Sequence, residues 1–528
     1  MKKKIFDSIK NELEREFVLE KPKELSFGHY ATPVAFSLAK ELRKSPMLIA
    51  EELALKFEKN EIFQEVNALK GYLNFKLSDT FLDEYTTWAL TNQKEYARAK
   101  NDQSILLEFV SANPTGPLHI GHARGAVIGD TLCRLGRHLG YRIDSEYYVN
   151  DAGNQIYLLG LSIFLAGQEN VLGLDVEWPD EYYRGEYIVD LAKRASADFD
   201  DTIFEDKKSI EILSSWGKDM MLDLIRENLK DIGIEFDSFV SERSLYDKWD
   251  ESFEKLQKND RTYKKDDKIW IKSSDFGDEK DRVVVRDDGR ATYLAGDIIY
   301  HDNKYQRDYD KYINIWGADH HGYIARVKAA INFLGYDESQ LEVILAQMVS
   351  LLKDGEPFKM SKRSGNFILM SDVVEEIGKD ALRFIFLSKK ADTHLEFDVE
   401  VLKKQDSTNP IFYINYAHAR VNQIFEKSGK KTEDITEVKL ENLSESAKNL
   451  LFSALLLPEV IEDTFVSRQV QRLSDYLVLL ASNLHKFYNE NRVVGSENED
   501  IYLKIFAMVA LSIRVGLGLM GIEAKDKM

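Results

Sequence analysis

The chain has 528 residues, 44% hydrophobic and 30% charged, the balance of a globular protein with ample core and too many residues for one domain. Its 71 basic against 90 acidic residues leave a net charge of −19, which argues against a surface that is basic throughout, so any polyanion is met by local patches. No stretch reads as the ~18 apolar residues of a membrane span, and the single cysteine, Cys133, excludes an internal disulfide and suits a reducing cytoplasm.

The N-terminus, MKKKIFDSIKNELEREF, predicts an amphipathic helix and not a signal peptide, because neither a sustained apolar run nor a cleavage site follows its basic start. Residues 1–100 mix helical segments (ATPVAFSLAKELRK, MLIAEELALKFEK) with a strand-like GYLNFKLS, and predict a small α/β domain. SILLEFVSA, at 104–112, reads as a buried strand broken by NPTGP. Ala123 to His138 reads as a helix with Gly140 as its stop, and YRIDSEYYVND, at 141–151, as another strand. Strand, turn, helix and strand in so short a span form a βαβ unit and predict a parallel sheet.

Residues from about 170 to 280 are mostly helical in pattern and charged, and read as an insertion. The α/β pattern resumes with a strand at 311–318, a helix at 324–335 and one apolar run, LEVILAQMVSLL, at 341–352. From 371 onward helical signals dominate, through LLFSALLLPEVIEDTF to IFAMVALSIRVGLGLMG, which predicts a helix bundle. Short basic clusters such as KKK at 2–4, KMSKR at 359–363 and KSGKK at 427–431 are solvated surface or contacts for an anion; charge alone does not separate the two.

Gly516, Gly518 and Gly521 spell a formal G-x-G-x-x-G, but no strand precedes it and no helix follows, so nothing aims its backbone N–H groups at a phosphate. His119 and His122 are more telling. They flank Ile120 and Gly121 where a strand's carboxyl end turns into a helix. Zinc is not expected on these residues with His320 and His321, since the tight carboxylate or cysteine spacing of a zinc site is missing. A helix start offers free N–H groups and the positive end of its dipole. Gly121 lets a ring or phosphate approach the backbone, and two imidazoles can donate to phosphate oxygens; the alternative is a pair of capping histidines. Downstream, PFKMSKRSGNF at 357–367 sets Lys359 and Lys362 around Met360 and Ser361. Two flexible ammoniums suit the charge of a leaving pyrophosphate.

This pairing of H-I-G-H with K-M-S-K-R resembles the class I aminoacyl-tRNA synthetases, whose signatures are HIGH and KMSKS; here Arg363 stands before Ser364. The resemblance extends over nearly the whole chain to the arginyl-tRNA synthetases, through FGHYATPVAFSLAK, LEFVSANPTGPLHIGHARG, RATYLAGDIIYH, WGADHHGY and DALRFIFLS. It implies an α/β fold with a Rossmann-like parallel-sheet catalytic domain at 101–370 carrying the insertion, a small α/β N-terminal tRNA-contacting domain at 1–100 and an all-α anticodon-binding bundle at 371–528. It implies catalysis by His119, His122, Lys359 and Lys362, with Gly121, Met360 and Ser361 also at ATP. The implied cofactors are ATP and Mg2+ without protein-bound zinc. The implied partners are L-arginine and arginine tRNA, for a cytoplasmic monomer that meets neither DNA nor a membrane, and arginine activation in the family also requires bound tRNA.

A guanidinium is planar, carries five donors and calls for a fixed carboxylate. Tyr293 and Asp297, four apart on a helix beginning near Thr292, share a face, and the resemblance implies that they bind the arginine side chain. By the same resemblance Glu108 and Asn113 hold the α-ammonium, and His320 lies nearby. In NPIFYINYAHARVNQIF, Tyr413, Tyr416, His418 and Arg420 offer stacking faces and phosphate contacts for anticodon bases, although aromatics at helical spacing equally suit a core. A nucleotidyltransferase acting without tRNA would not need the terminal domains. A non-catalytic tRNA-binding relative would be expected to lack the histidines or lysines, and all four are present.

Overall fold

The structure, a computed structural model, describes residues 1–358 and 368–528. They form two compact units: 1–98 with 405–467 and 472–528, and 99–404 with 468–471.

The second unit is built on a five-stranded sheet in the spatial order Leu341–Ala346, Lys311–Gly317, Ser104–Glu108, Arg142–Val149, Ser238–Ser241. Every pair in it is parallel. In chain order this is 5-4-1-2-3, the doubly wound arrangement, and the order reverses between Ser104–Glu108 and Lys311–Gly317. Ser104–Glu108 is buried along its whole length, as a parallel strand covered on both faces must be. The helix Ile120–His138 returns over the sheet so closely that a Cβ on Gly129 would lie 2.3 Å from the Phe109 ring.

Three features depart from the sequence reading. Ser238–Ser241, inside the span read as an insertion, is the edge strand of the main sheet, paired with Arg142–Val149. The rest of that span divides in two. The helices Glu186–Phe199 and Ser209–Asp231 pack with Asn154–Asn170, which precedes the span, on a core of their own around Ile163, Phe164, Leu191, Phe204 and Leu213. Thr262–Lys265, Lys268–Ile271 and Arg282–Val285 then form a small antiparallel sheet. LEVILAQMVSLL is not one element: Leu341–Ala346 joins the main sheet, while Val349–Lys353 lies between Glu356–Pro357 and Leu395–Asp398 in another. Residues 371–404, including that last strand, group with this unit, so the helical bundle begins later than expected.

In the first unit an antiparallel sheet, ordered Tyr30–Thr32, Tyr72–Leu77, Phe63–Leu69, packs with helices from both ends of the chain. Buried polar links join the two sequence regions. Lys504, fully buried on the helix Glu499–Leu519, donates to Asp83 at 2.6 Å, and the Tyr96 hydroxyl donates to the Ala454 carbonyl at 3.2 Å. Tyr30 donates to Glu459. Glu499–Leu519 corrects one expectation: it is long and apolar enough to cross a membrane, but 72% of its apolar window is buried inside the bundle. The glycine triplet at 516–521 falls at the end of this helix, not in a strand-turn-helix.

Candidate active site

The strand-order reversal opens a crevice at the carboxyl edge of the sheet, where ligands of such folds bind. Of the described candidates, Glu108 ends the first strand, Asn113 lies in the turn after it, His119, Gly121 and His122 sit at the start of the next helix and His320 follows the fourth strand, while Tyr293 and Asp297 are on the helix that follows the small antiparallel sheet. His119 is the N-cap of Ile120–His138, and its Nδ1 accepts from the Gly121 N–H at 3.1 Å. A Cβ on Gly121 would sit 3.0 Å from that ring, so the small residue lets the imidazole fold back. The His119 and His122 rings stack with centroids 3.6 Å apart. Burial lowers both pKa values, that of His122 to about 3. Both are therefore neutral N–H donors near neutral pH. His122 Nδ1 is buried and meets no hydrogen-bond partner among the described residues, an unsatisfied atom that calls for an explanation.

Lys359, Met360, Ser361 and Lys362 lie outside the described residues. The residues that follow them are placed beside the histidines: the Ile120 N–H donates to the Ile368 carbonyl and the Met370 N–H to the Leu118 carbonyl, each at 2.9 Å.

After Glu108 the chain makes an unusual turn. Val110 and Ser111 have φ of 69° and 43°, a left-handed conformation that is strained for a β-branched residue and gathers at functional sites. The turn delivers Asn113, whose amide donates to Gln155 Oε1 at 2.6 Å. Glu108 itself points inward, 4% exposed, and accepts from Lys304 at 2.6 Å and from Ser111 at 2.9 Å. Of the two residues assigned to the α-ammonium, Asn113 is therefore the more accessible.

Tyr293 opens the helix Tyr293–Tyr305 and is 56% exposed, its ring packed over Gly153. One turn later Asp297 accepts from the Tyr323 hydroxyl. Burial, with Glu108 nearby, raises its carboxyl to about 6 against the pull of Tyr323, Arg326 and Lys304. His320 lies on the turn Ala318–Tyr323 after the fourth strand, exposed, 3.7 Å from Asp319.

Glu242 was missed in the sequence. It follows the edge strand Ser238–Ser241, is 3% exposed, and accepts from the Tyr246 hydroxyl at 2.9 Å and from Tyr148. It packs so closely on Gly296 that a Cβ there would lie 2.3 Å from its Oε1. Burial, together with the charges of Asp297 and Asp151, raises its carboxyl to about 7. The only sequence signal is a glutamate at a strand's carboxyl end, and it was hidden while that strand read as insertion. Half-buried Asp297 and buried Glu242, each raised partly by an acidic neighbour and each accepting from a tyrosine hydroxyl, are acceptors of the kind that a planar cation requires. Among the described residues no group of three or more His, Cys, Asp and Glu is arranged to hold a metal ion.

The four residues assigned to tRNA lie on the helix Pro410–Ser428 of the first unit. Tyr416 is exposed, and the Arg420 guanidinium lies over its ring at 4.6 Å and over Tyr488 at 4.9 Å. Tyr413 is half-buried against His485. His418 corrects the expectation: it is 1% exposed and its Nδ1 meets the Lys525 carbonyl at 3.1 Å, so it is core.

Comparison with known proteins agrees along the full length. The family described as tRNA synthetases class I (R), catalytic domain, matches residues 86–426; the DALR anticodon binding domain matches 414–528; the arginyl tRNA synthetase N terminal domain matches 1–77. The arginine–tRNA ligase of a Nitratiruptor species is 64% identical over 528 residues, and that of Campylobacter jejuni strain 81-176 is 60% identical over 529, each covering all of both chains. The Thermus thermophilus arginyl-tRNA synthetase structure superposes with a TM-score of 0.78 over 100% of both chains at 20% identity, a likeness of fold.

Proposed function

This chain belongs to the arginyl-tRNA synthetase family and charges tRNA with arginine, and we propose that the crevice at the strand-order reversal carries that work with the following division. ATP lies along the start of Ile120–His138, its phosphates against His119, His122 and the Gly121 backbone, with Lys359, Met360, Ser361 and Lys362 also assigned to ATP by the family resemblance. L-arginine lies across the crevice. Its guanidinium meets Asp297 and Glu242 beside Tyr293, and its α-ammonium meets Asn113, with Glu108 behind and His320 at the rim. The observation that supports this reading is that Glu242 and Asp297 both have raised carboxyls, Glu242 partly through the charge of Asp297, in the same unit as the stacked histidines.

The arginine carboxylate attacks the α-phosphorus in line. The bond to the β-phosphate bridging oxygen breaks and pyrophosphate leaves with its electron pair. No protein nucleophile is required, since positioning and electrostatics serve phosphoryl-type transfer. Neutral imidazoles donate to the phosphate oxygens, and the two lysines offset the charge that builds. Mg2+ would come with the ATP phosphates and would supply further charge stabilisation there, beside His119 and His122. A ribose hydroxyl at the tRNA 3′ end then attacks the arginyl carbonyl and AMP leaves. Tyr413, Tyr416 and Arg420, with Tyr488 beside them, are the proposed stacking face for tRNA, and the chain acts as a cytoplasmic monomer.

The test is a pair of variants, His122→Ala and Lys362→Ala, each expected to slow charging by on the order of 10²–10³, the usual loss of one transition-state donor, with tRNA binding near normal. Wild-type turnover in either would remove that residue from the mechanism.

A further inference from the structure

One run of buried polar groups, apart from Glu108 behind the α-ammonium, has no part in the chemistry above. Glu108 and Asn314 are register partners across the reversal of strand order. Lys304, 1% exposed, reaches both from the helix Tyr293–Tyr305: its ammonium donates to Glu108 Oε2 at 2.6 Å and to Asn314 Oδ1 at 2.9 Å. The network then runs two ways. Toward the turn, Glu108 Oε1 accepts from the Ser111 hydroxyl at 2.9 Å, and that oxygen accepts from the Tyr148 N–H at 3.1 Å. Ser111 is itself in the left-handed turn that delivers Asn113. Toward the helix, Asn314 Nδ2 donates to His301 Nε2 at 3.3 Å, and His301 Nδ1 donates to the Asp297 carbonyl at 2.8 Å. Each of these bonds pairs a donor with an acceptor when His301 is neutral and protonated on Nδ1, and its burial and Lys304 favour the neutral form.

Packing alone does not call for these groups. A charged pair inside a sheet is often no more stabilising than apolar residues of the same volume, whereas a fully satisfied network imposes one geometry. This network joins the two places where the proposed substrate is gripped at its ends.

We propose that Lys304 is a positioning residue which, through Glu108 and Ser111 on one side and Asn314 and His301 on the other, fixes the span between the turn of Asn113 and the helix of Asp297, and so measures the length of the amino acid. The proposal rests on the reading that those two residues take the α-ammonium and the guanidinium. Its consequence is selectivity for side-chain length. L-homoarginine has the same two ends with one more methylene, and a rigid span rejects it where a slack one does not.

The experiment compares wild type, Lys304→Met, Asn314→Val and Asp297→Asn, measuring the KM for arginine, the KM for ATP and the inhibition constant of homoarginine. Lys304→Met breaks the network at its charge. Asn314→Val breaks it in the middle while keeping the Lys304–Glu108 pair, so it decides the matter if Lys304→Met does not fold. Both are expected to raise the arginine KM by on the order of ten- to a hundredfold, the scale of a misplacement near 1 Å, and to leave the ATP KM within about twofold. The homoarginine constant should rise less, so that the ratio of the two narrows. Equal rises for arginine and homoarginine, a parallel rise for ATP, or a lowered melting temperature with unchanged constants would overturn the proposal and leave a purely structural network. An unchanged arginine KM in Asp297→Asn would instead overturn the reading beneath it.

Discussion

At the scale of single residues, two carboxylates carry the proposed arginine site. Asp297 is raised to about 6 and Glu242 to about 7, chiefly by burial. Their unfolded values lie near ~4, so between there and about 7 the folded chain holds protons that the unfolded chain has released. The stabilising contribution of these protons is complete below that window and is lost as pH rises through the folded values. Bound arginine supplies the missing cation and favours the ionised forms. Arginine kcat/KM should therefore climb with pH through the same window and flatten above about 7, while thermal stability of the ligand-free chain falls across it. His122, held near 3 by burial, should add no step. Charging rates and melting curves recorded from about pH 5.5 to about 8.5 check both limbs. A flat arginine profile would mean that the two carboxylates are already ionised without substrate. The spacing of Tyr293 and Asp297 gave them a shared helix face, and the family resemblance singled them out for the arginine side chain. Glu242, Asn314 and Lys304 were not, because their meaning comes from strands that meet only in the folded sheet, and one of those strands read as insertion.

Among the elements, the signature helix Ile120–His138 shows how sequence motif and fold depend on each other. Arg124, one turn past the histidines, is fully buried and donates to the carbonyls of Gln347, Lys390 and Thr393 at 2.7 to 2.9 Å. Those carbonyls lie just before the strands Val349–Lys353 and Leu395–Asp398. One side chain thus fastens the helix to the small sheet from which the second signature segment departs. Arg124→Met should leave the Gln347 and Thr393 carbonyls without their charged donor, while the Lys390 carbonyl keeps the Thr393 N–H at 3.1 Å; a hydrogen bond to a charged group is worth ~1.5–3 kcal/mol, so the melting temperature of the second unit should fall by calorimetry. An unchanged transition would show that water satisfies them. Gly129 makes a complementary case. Alanine is the better helix former by ~1 kcal/mol, but its Cβ would lie 2.3 Å from the Phe109 ring. Overpacking of that kind costs ~1–3 kcal/mol, so Gly129→Ala should destabilise, and a higher melting temperature would contradict the close packing. The helix and its two flanking strands could be read in the sequence from hydrophobic period and turn residues. Val349–Lys353 could not, because it continues the apolar run of its neighbour across a change of sheet.

At the scale of the molecule, the helical C-terminal part is not independent of the N-terminal part. Lys504 sits in the bundle and answers Asp83 from the N-terminal region, both buried. A chain ending at residue 404 would leave Asp83 without that ammonium and bare the apolar surface around Tyr96, and a buried charge stripped of its partner is strongly destabilising. Residues 1–98 in such a truncation should be cut by protease far faster than in the full chain; equal resistance would show that they fold alone. With a net charge of −19, tRNA binding must come from local cations. The logarithm of affinity should then fall linearly with the logarithm of salt as counterions are released, and Arg420→Gln should make the slope shallower if that guanidinium meets a phosphate.

The central claim is that a fixed carboxylate on the helix Tyr293–Tyr305 reads the guanidinium, and Asp297→Asn tests it most directly. The change keeps the shape, removes the charge and turns one acceptor into a donor facing a cation. Loss of a desolvated, hydrogen-bonded charge pair is worth ~2–5 kcal/mol, so arginine kcat/KM should drop by roughly thirty-fold to several thousand-fold, with the ATP KM little changed. An arginine kcat/KM within about threefold of wild type would contradict the account, being far below the loss expected of such a pair, and would pass the role to Glu242.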